Sequence, residues 1–238
     1  MRQEPNTYVL SLGGSVFAPN GEVKGINIDY LKKFERFIRK QVAAGRRFFI
    51  VTGGGYTARL YRDAAAEVVG KDKVEDEDLD WLGVHATRIN AHLFRTIFKD
   101  ITSYRFLKHY DVVDKNVLDY PVVICSGWKP GWSTDYCSVL VAHDYGVKTV
   151  INLSNIDMVY DADPKTNGKA KPIAKMGWDK LISIVGRDWK PGMNAPFDPI
   201  ASKLAKKTKL KVVVADGHDL KNLEKILEGK DYVGTTIE

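Results

Sequence analysis

Three times in this chain an apolar run ends in a glycine-bearing turn and is followed by residues at helical spacing. Tyr8–Leu12 (YVLSL) runs into Gly13-Gly14-Ser15, and Arg47–Thr52 (RFFIVT) into Gly53-Gly54-Gly55. Val122 opens a third unit, VVICSGWKPGWSTD, whose loop closes on Ser133-Thr134-Asp135, a cluster suited to begin a helix. Strand, turn and helix in repetition favour a mostly parallel sheet covered by helices. Leu31, Phe34, Phe37, Ile38 and Val42 recur at helical spacing, so one helix packs on the sheet between Ile28 and Val42. Val147–Leu153 and Leu210–Ala215 read as further strands, and Trp178–Val185 and Pro199–Lys207 as further helices.

The turns carry the candidate chemistry. Gly13-Gly14-Ser15 exposes backbone N–H groups with little side-chain bulk, a possible phosphate cradle or simply a turn. Gly53-Gly54-Gly55 repeats that logic and adds Arg59 one helical turn later, either a planar charged donor or a solvated helix charge. The acidic run Glu75–Asp80 leads into a helix whose expected inner face is Leu82, Ala86, Ile89, Leu93 and Ile97. Most of those acids are expected in solvent. Asp80, beside Trp81, is the exception to watch, either a structural acid or a carboxylate that holds a ribose hydroxyl pair. Ser154-Asn155-Ile156-Asp157 and the turns at Asp163-Pro164 and Asn167-Gly168 predict a polar excursion over the sheet edge.

Composition excludes more than it selects. With 238 residues, of which 44% are hydrophobic and 28% charged, the chain can bury one substantial core, and no linker divides it. No apolar run approaches the roughly 20 residues needed to span a bilayer. The polar start lacks a signal-peptide core, so a soluble, cytoplasmic protein without a membrane partner is expected. Cys125 and Cys137 lack CxxC spacing and read as buried thiols, while His85 and His92 lack the spacing of a metal pair, so no metal centre is expected. The net charge of +6 is spread out apart from Lys203–Lys211, and no aromatic RNA-binding signature accompanies it, so no nucleic-acid partner is expected.

Read in order, SLGGS, VTGGGYTAR, DWLGVHATRINA, PGWSTD, SNIDMVYDADPK and the closing GTTIE resemble the uridylate (UMP) kinases of the amino-acid kinase superfamily, in its archaeal-type branch, over nearly the whole chain. The resemblance implies a three-layer α/β/α sandwich in which ATP and the phosphate acceptor lie end to end over the C-terminal edges of the strands. It implies a single domain over residues 1–238, with an acceptor-binding lobe up to about residue 145 and an ATP-binding lobe from about 146. Gly13, Gly14 and Ser15 match positions at the ATP phosphates, and Gly55 and Arg59 match the ATP side. Ser154, Asn155, Tyr160 and Asp163 match the adenine and ribose site. Gly54 matches the UMP phosphate and Asp80 the UMP ribose. Trp128, Lys129, Pro130, Gly131 and Trp132 match the segment that wraps UMP, with Ser133 and Thr134 at its phosphate. The implied cofactors are ATP and Mg2+, the metal held mainly through ATP phosphates. The implied assembly is a homo-hexamer built from dimers, and the apolar first helix is a candidate dimer face.

Two features depart from the pattern. Bacterial relatives carry a Lys beside the first glycine turn; this chain has Leu12 there, and because the archaeal-type branch also lacks that Lys, the absence favours that branch. Lys129, Arg59 and Lys165 are the candidates for the missing charge, and Asp135 matches an Asp that organises the catalytic groups. Gly192 and Asp198 lie in a segment matched to the phosphates. The second departure is Trp128 where relatives have a small Thr, with Ser126 and Met158 at usual glycine positions. Trp128 either stacks on a base or fills the pocket. UMP phosphorylation is therefore the leading expectation, with another monophosphate or small phosphorylated acceptor, or non-catalytic nucleotide binding, as alternatives.

Overall fold

The structure is a computed structural model that describes residues 6–20, 25–164, 166–186, 188 and 195–238. The first half of the chain runs β1 (Thr7–Leu12), α1 (Gly14–Phe17), α2 (Ile28–Ala43), β2 (Arg47–Thr52), α3 (Gly55–Val69), α4 (Asp76–Ile97), β3 (Val122–Cys125) and α5 (Thr134–Asp144). The second half runs β4 (Thr149–Ser154), three short strands β5 (Val159–Tyr160), β6 (Pro172–Ile173) and β7 (Lys175–Met176), then α6 (Trp178–Val185), α7 (Pro199–Lys207), β8 (Lys211–Asp216), α8 (Leu220–Glu228) and β9 (Thr235–Ile237).

Seven strands form one sheet in the order β3-β2-β1-β4-β8-β9-β7, and β5 pairs with β6 apart from it. Every pair in the large sheet is parallel except β8 with β9. Alternation along the strands divides the core in two. Val9, Phe49, Val51, Val123, Val150, Val212 and Val214 point to the layer holding α5, α6 and α7. Leu10, Leu12, Phe48, Ile50, Ile124, Ile151 and Val213 point to the layer holding α2, α4 and α8. This is the three-layer α/β/α sandwich. Among the described residues no helix is long and apolar enough to cross a membrane.

Two expectations about helix faces are corrected. In α2, Tyr30, Leu31, Phe34, Phe37 and Ile38 are all buried, so the apolar stripe read as a candidate dimer face packs on the core. In α4 the buried residues are Val84, Ala86, Thr87, Asn90, Ala91 and Phe94, while Ile89 is 63% exposed. Counting only apolar residues rotated that face, because two of its buried members, Thr87 and Asn90, are polar. The irregular segment after α4 guards the β3 edge: Leu107 N–H donates to Ile124 O and Ser126 N–H to Leu107 O, closing a row of groups that would otherwise invite another strand.

Candidate active site

Because β3, β2, β1, β4 and β8 are parallel, the turns that follow them share one rim. The chain reverses its direction of travel across the sheet between β1 and β4, which is where ligands bind in such sheets. At this point the two glycine turns touch through their backbones. A Cβ on Gly14 would lie 2.0 Å from Gly55 N, so no side chain fits. Gly53 N–H donates to Leu12 O (2.9 Å) and Gly13 N–H to Leu153 O (2.8 Å), locking both turns to their neighbours. Gly55, with φ +62, starts α3 in a conformation that side chains resist. The buried Asn90 side chain of α4 donates to Gly53 O (2.8 Å) and Gly54 O (3.1 Å).

Beside these turns lies a cavity of about 510 Å3, within the roughly 300–1,000 Å3 usual for small-molecule sites. Gly54, Gly55, Arg59 and Arg62 line it from α3, Asp80 and Thr87 from α4, and Trp132, Ser133 and Thr134 from the third loop. That loop is fastened to α4 at three points. Gly127 N–H donates to Thr87 Oγ1 (2.8 Å), Arg88 donates to Trp128 O (2.8 Å), and Gly131 N–H donates to Asp80 Oδ2 (2.8 Å). Burial pushes the Asp80 carboxyl above its ordinary value, opposed by the Gly131 N–H and the Arg62 charge. Ser133 caps α5 by accepting from Tyr136 N–H (3.0 Å), so the N-termini of α3 and α5 both open on the cavity.

Trp128 does not line the cavity. It packs against the core layer under α5, edge-to-face with Tyr110 (5.8 Å) and Trp132 (4.7 Å), and the indole that lines the cavity is Trp132. The Lys129 ammonium lies 4.6 Å from the Trp128 ring centre and 4.4 Å from that of Trp132, a cation–π arrangement outside the cavity lining. Pro130 belongs to the same loop. Arg59 and Gly55, matched above to the ATP side, line the cavity that also contains Gly54 and Asp80.

Asp135 sits one residue past the cavity lining. Its Oδ1 accepts from the Ser11 hydroxyl (3.0 Å) and its Oδ2 from Asp198 N–H (3.2 Å). Burial and the nearby Asp198 carboxylate push Asp135 up to about 7 against those two donors. Asp198 caps α7 through Oδ1, and its Oδ2 is buried without a partner among the described residues.

On the other side of β1, Ser154 ends β4, and Gly217 N–H donates to its carbonyl (2.8 Å). Asn155 is exposed, Tyr160 half-buried and Asp163 exposed, all in a polar excursion beyond β4. Thr235 of the closing GTTIE holds that excursion down, accepting from Val159 N–H (2.8 Å) and donating to Ile173 O (2.6 Å). Gly13, Gly14 and Ser15 lie between the two sides at the end of β1. Lys165 and Gly192 lie outside the described residues. Sequence reasoning missed Ser11, Arg62, Thr87 and Asn90. The polar pair in ATRIN, set at i, i+3 inside an apolar helix, was the available signal for the last two.

The sequence model described as the amino acid kinase family matches residues 6–216. The chain belongs to the amino acid kinase family. It is 34% identical to the uridylate kinase of Thermoplasma acidophilum over 234 residues, covering 98% of this chain and 96% of that one. It is 33% identical to the uridylate kinase of Thermoplasma volcanium, covering 98% and 97%. Among solved structures, uridylate kinase from Archaeoglobus fulgidus superposes with a TM-score of 0.80 at 31% identity, covering 97% of this chain and 99% of that chain. UMP kinase from Bacillus anthracis, at 22% identity and a TM-score of 0.77, shares the fold. The amino acid kinase architecture accounts for the contact between the glycine turns, which it brings to one point of the rim.

Proposed function

We propose that this protein transfers the terminal phosphoryl group of ATP to UMP, giving UDP and ADP, as a cytoplasmic step of pyrimidine nucleotide synthesis. The observation that carries the reading is the backbone contact of the Gly13-Gly14 and Gly53-Gly55 turns, with a nucleotide-sized cavity on one side and the β4 rim on the other. In this reading residues up to about 145 hold the acceptor and residues from about 146 hold ATP.

In-line phosphoryl transfer needs alignment and neutralisation of charge more than covalent help. The acceptor phosphate would sit at the N-termini of α3 and α5, against Gly54, Gly55, Ser133 and Thr134. Arg59 would supply a permanent positive charge beside the transferring group. Asp80 would accept from the ribose hydroxyls, and Trp132 would give the base a flat apolar wall. Ser154, Asn155, Tyr160 and Asp163 would hold adenosine, with the Gly13-Gly14-Ser15 turn at the ATP phosphates. A nucleoside monophosphate is already ionised at neutral pH, so no general base is required.

Mg2+ is implied by the family. No group of three or more His, Cys, Asp or Glu side chains among the described residues could hold a metal alone. The unpartnered Asp198 Oδ2, near Asp135, fits an ion that takes one or two carboxylates plus phosphate oxygens. Asp135 and Asp198 would hold it, and it would neutralise charge on the ATP phosphates. Homo-oligomerisation, as a hexamer built from three dimers, is also part of this reading. The surface that suits it is the outer face of α3 and α4, where Leu60, Tyr61, Val68, Trp81 and Ile89 are exposed.

A coupled assay across nucleoside monophosphates tests the proposal. UMP is expected to be turned over most efficiently with Mg-ATP. Nucleotide binding without turnover of any monophosphate would overturn it.

A further inference from the structure

Arg62 lies one helical turn beyond Arg59, and its neighbours Leu60 and Tyr61 point to solvent. Arg62 instead lines the cavity, and its Nε is buried with no hydrogen-bond partner among the described residues. Its charge acts on the Asp80 carboxyl, yet its buried Nε takes no partner there. Asp80 Oδ2 accepts from Gly131 N–H, which leaves Oδ1 for a ligand. A donor and an acceptor therefore stand across one end of the cavity, each with capacity to spare.

We propose that Arg62 is the donor half of a ribose-diol site whose acceptor half is Asp80, and that it makes a 2′-hydroxyl a requirement of the nucleotide acceptor. This rests on the UMP kinase reading above. A hydroxyl both donates and accepts. A carboxylate only accepts and a guanidinium only donates, so the pair satisfies both capacities of a vicinal diol, which neither residue does alone. The placement follows from helix geometry. Arg62 is seven residues beyond Gly55, about 10 Å along the axis, and helical side chains lean back toward the N-terminus. A nucleotide with its phosphate at Gly54 and Gly55 extends its sugar along α3 into the gap between Arg62 and Asp80. A 2′-deoxy acceptor would leave the buried Arg62 Nε without an acceptor.

The test compares kcat/KM for UMP and dUMP at saturating ATP in the wild type, Arg62→Ala, Arg62→Lys and Asp80→Asn. The wild type is expected to prefer UMP by about 100-fold, and Arg62→Ala to reduce that preference by about tenfold through the acceptor KM. The KM for ATP should not move, and Arg62→Lys should recover part of the preference. A thermal melt of each variant separates loss of fold from loss of recognition. An unchanged preference in Arg62→Ala, or equal losses for both acceptors, would overturn the assignment. If the wild type prefers another monophosphate, the same ratio is taken with that nucleotide and its 2′-deoxy form. If the wild type turns over no monophosphate, the kinase reading fails, and equal calorimetric affinity of wild type and Arg62→Ala for UMP would overturn the Arg62 site separately.

Discussion

The two sides of the rim are built differently. On the acceptor side the groups that line the cavity come from α3, α4 and the loop after β3, and they are held by bonds between residues far apart in sequence: Gly131 to Asp80, Gly127 to Thr87, Asn90 to Gly53 and Gly54. On the ATP side the excursion after β4 is held mostly by its own turns. Asp157 accepts from Met158 N–H, Asp161 from Lys171 N–H, and Asn167 from Lys169 N–H. In the proposed reading the acceptor side is a preorganised cage and the ATP side a string of local turns anchored at Thr235. On that reading, selectivity for the acceptor is tied to fold stability, whereas ATP recognition rests on a segment held by its own turns.

Glycine replacements give the sharpest contrast. Gly14→Ala forces a Cβ to 2.0 Å from Gly55 N, and it should abolish turnover and destabilise the protein by about 4 kcal/mol or more. Gly168→Ala, with nothing within 4 Å of the added atom, should change stability by less than about 0.5 kcal/mol. Urea denaturation and the coupled assay measure both, and a tolerated Gly14→Ala would break the cage description.

A second contrast concerns pH. Asp135 titrates near 7 in the fold, well above the roughly 3.9 of an unperturbed Asp. The folded state therefore holds a proton that the unfolded chain has released, and the stability of the ligand-free protein should fall as pH rises from about 4 to about 7. Asp135→Asn removes that slope. Its melting temperature should match the wild type at pH 4 and exceed it by several degrees at pH 8, while turnover is lost. Parallel pH profiles for the two proteins would contradict the buried carboxylate pair.

Asp80→Ala should raise the KM for UMP by about tenfold with little change for ATP. A collapse of ATP affinity instead would exchange the two subsites. The smallest effect belongs to Lys129. Its ammonium rests on two indoles, so Lys129→Ala should cost about 0.5–2 kcal/mol of stability and lower kcat less than about threefold. A thousandfold loss would mean that Lys129 supplies the charge missing beside the first glycine turn.

The sheet was legible because each strand announces itself locally. YVLSL, RFFIVT and VVIC are apolar on both faces, as a strand buried between two layers requires, and each stops at a turn. The α5 cap was equally plain in Ser133-Thr134-Asp135. Trp128 and the inner face of α4 were not. An indole after a glycine looks the same on paper whether it faces a nucleotide or the underside of α5, and Thr87 looks like a surface residue until Gly127 is placed above it.

The order of elements, the parallel sheet and the positions of the glycine turns were determined by the sequence alone, because they follow from residue-by-residue preferences for strand, turn and helix. That Arg62, Asp80, Thr87 and Trp132 line one cavity was decided only by the tertiary structure. These residues belong to three separate segments, and side chains from separate segments acquire a common purpose only when packing fixes the distances between them.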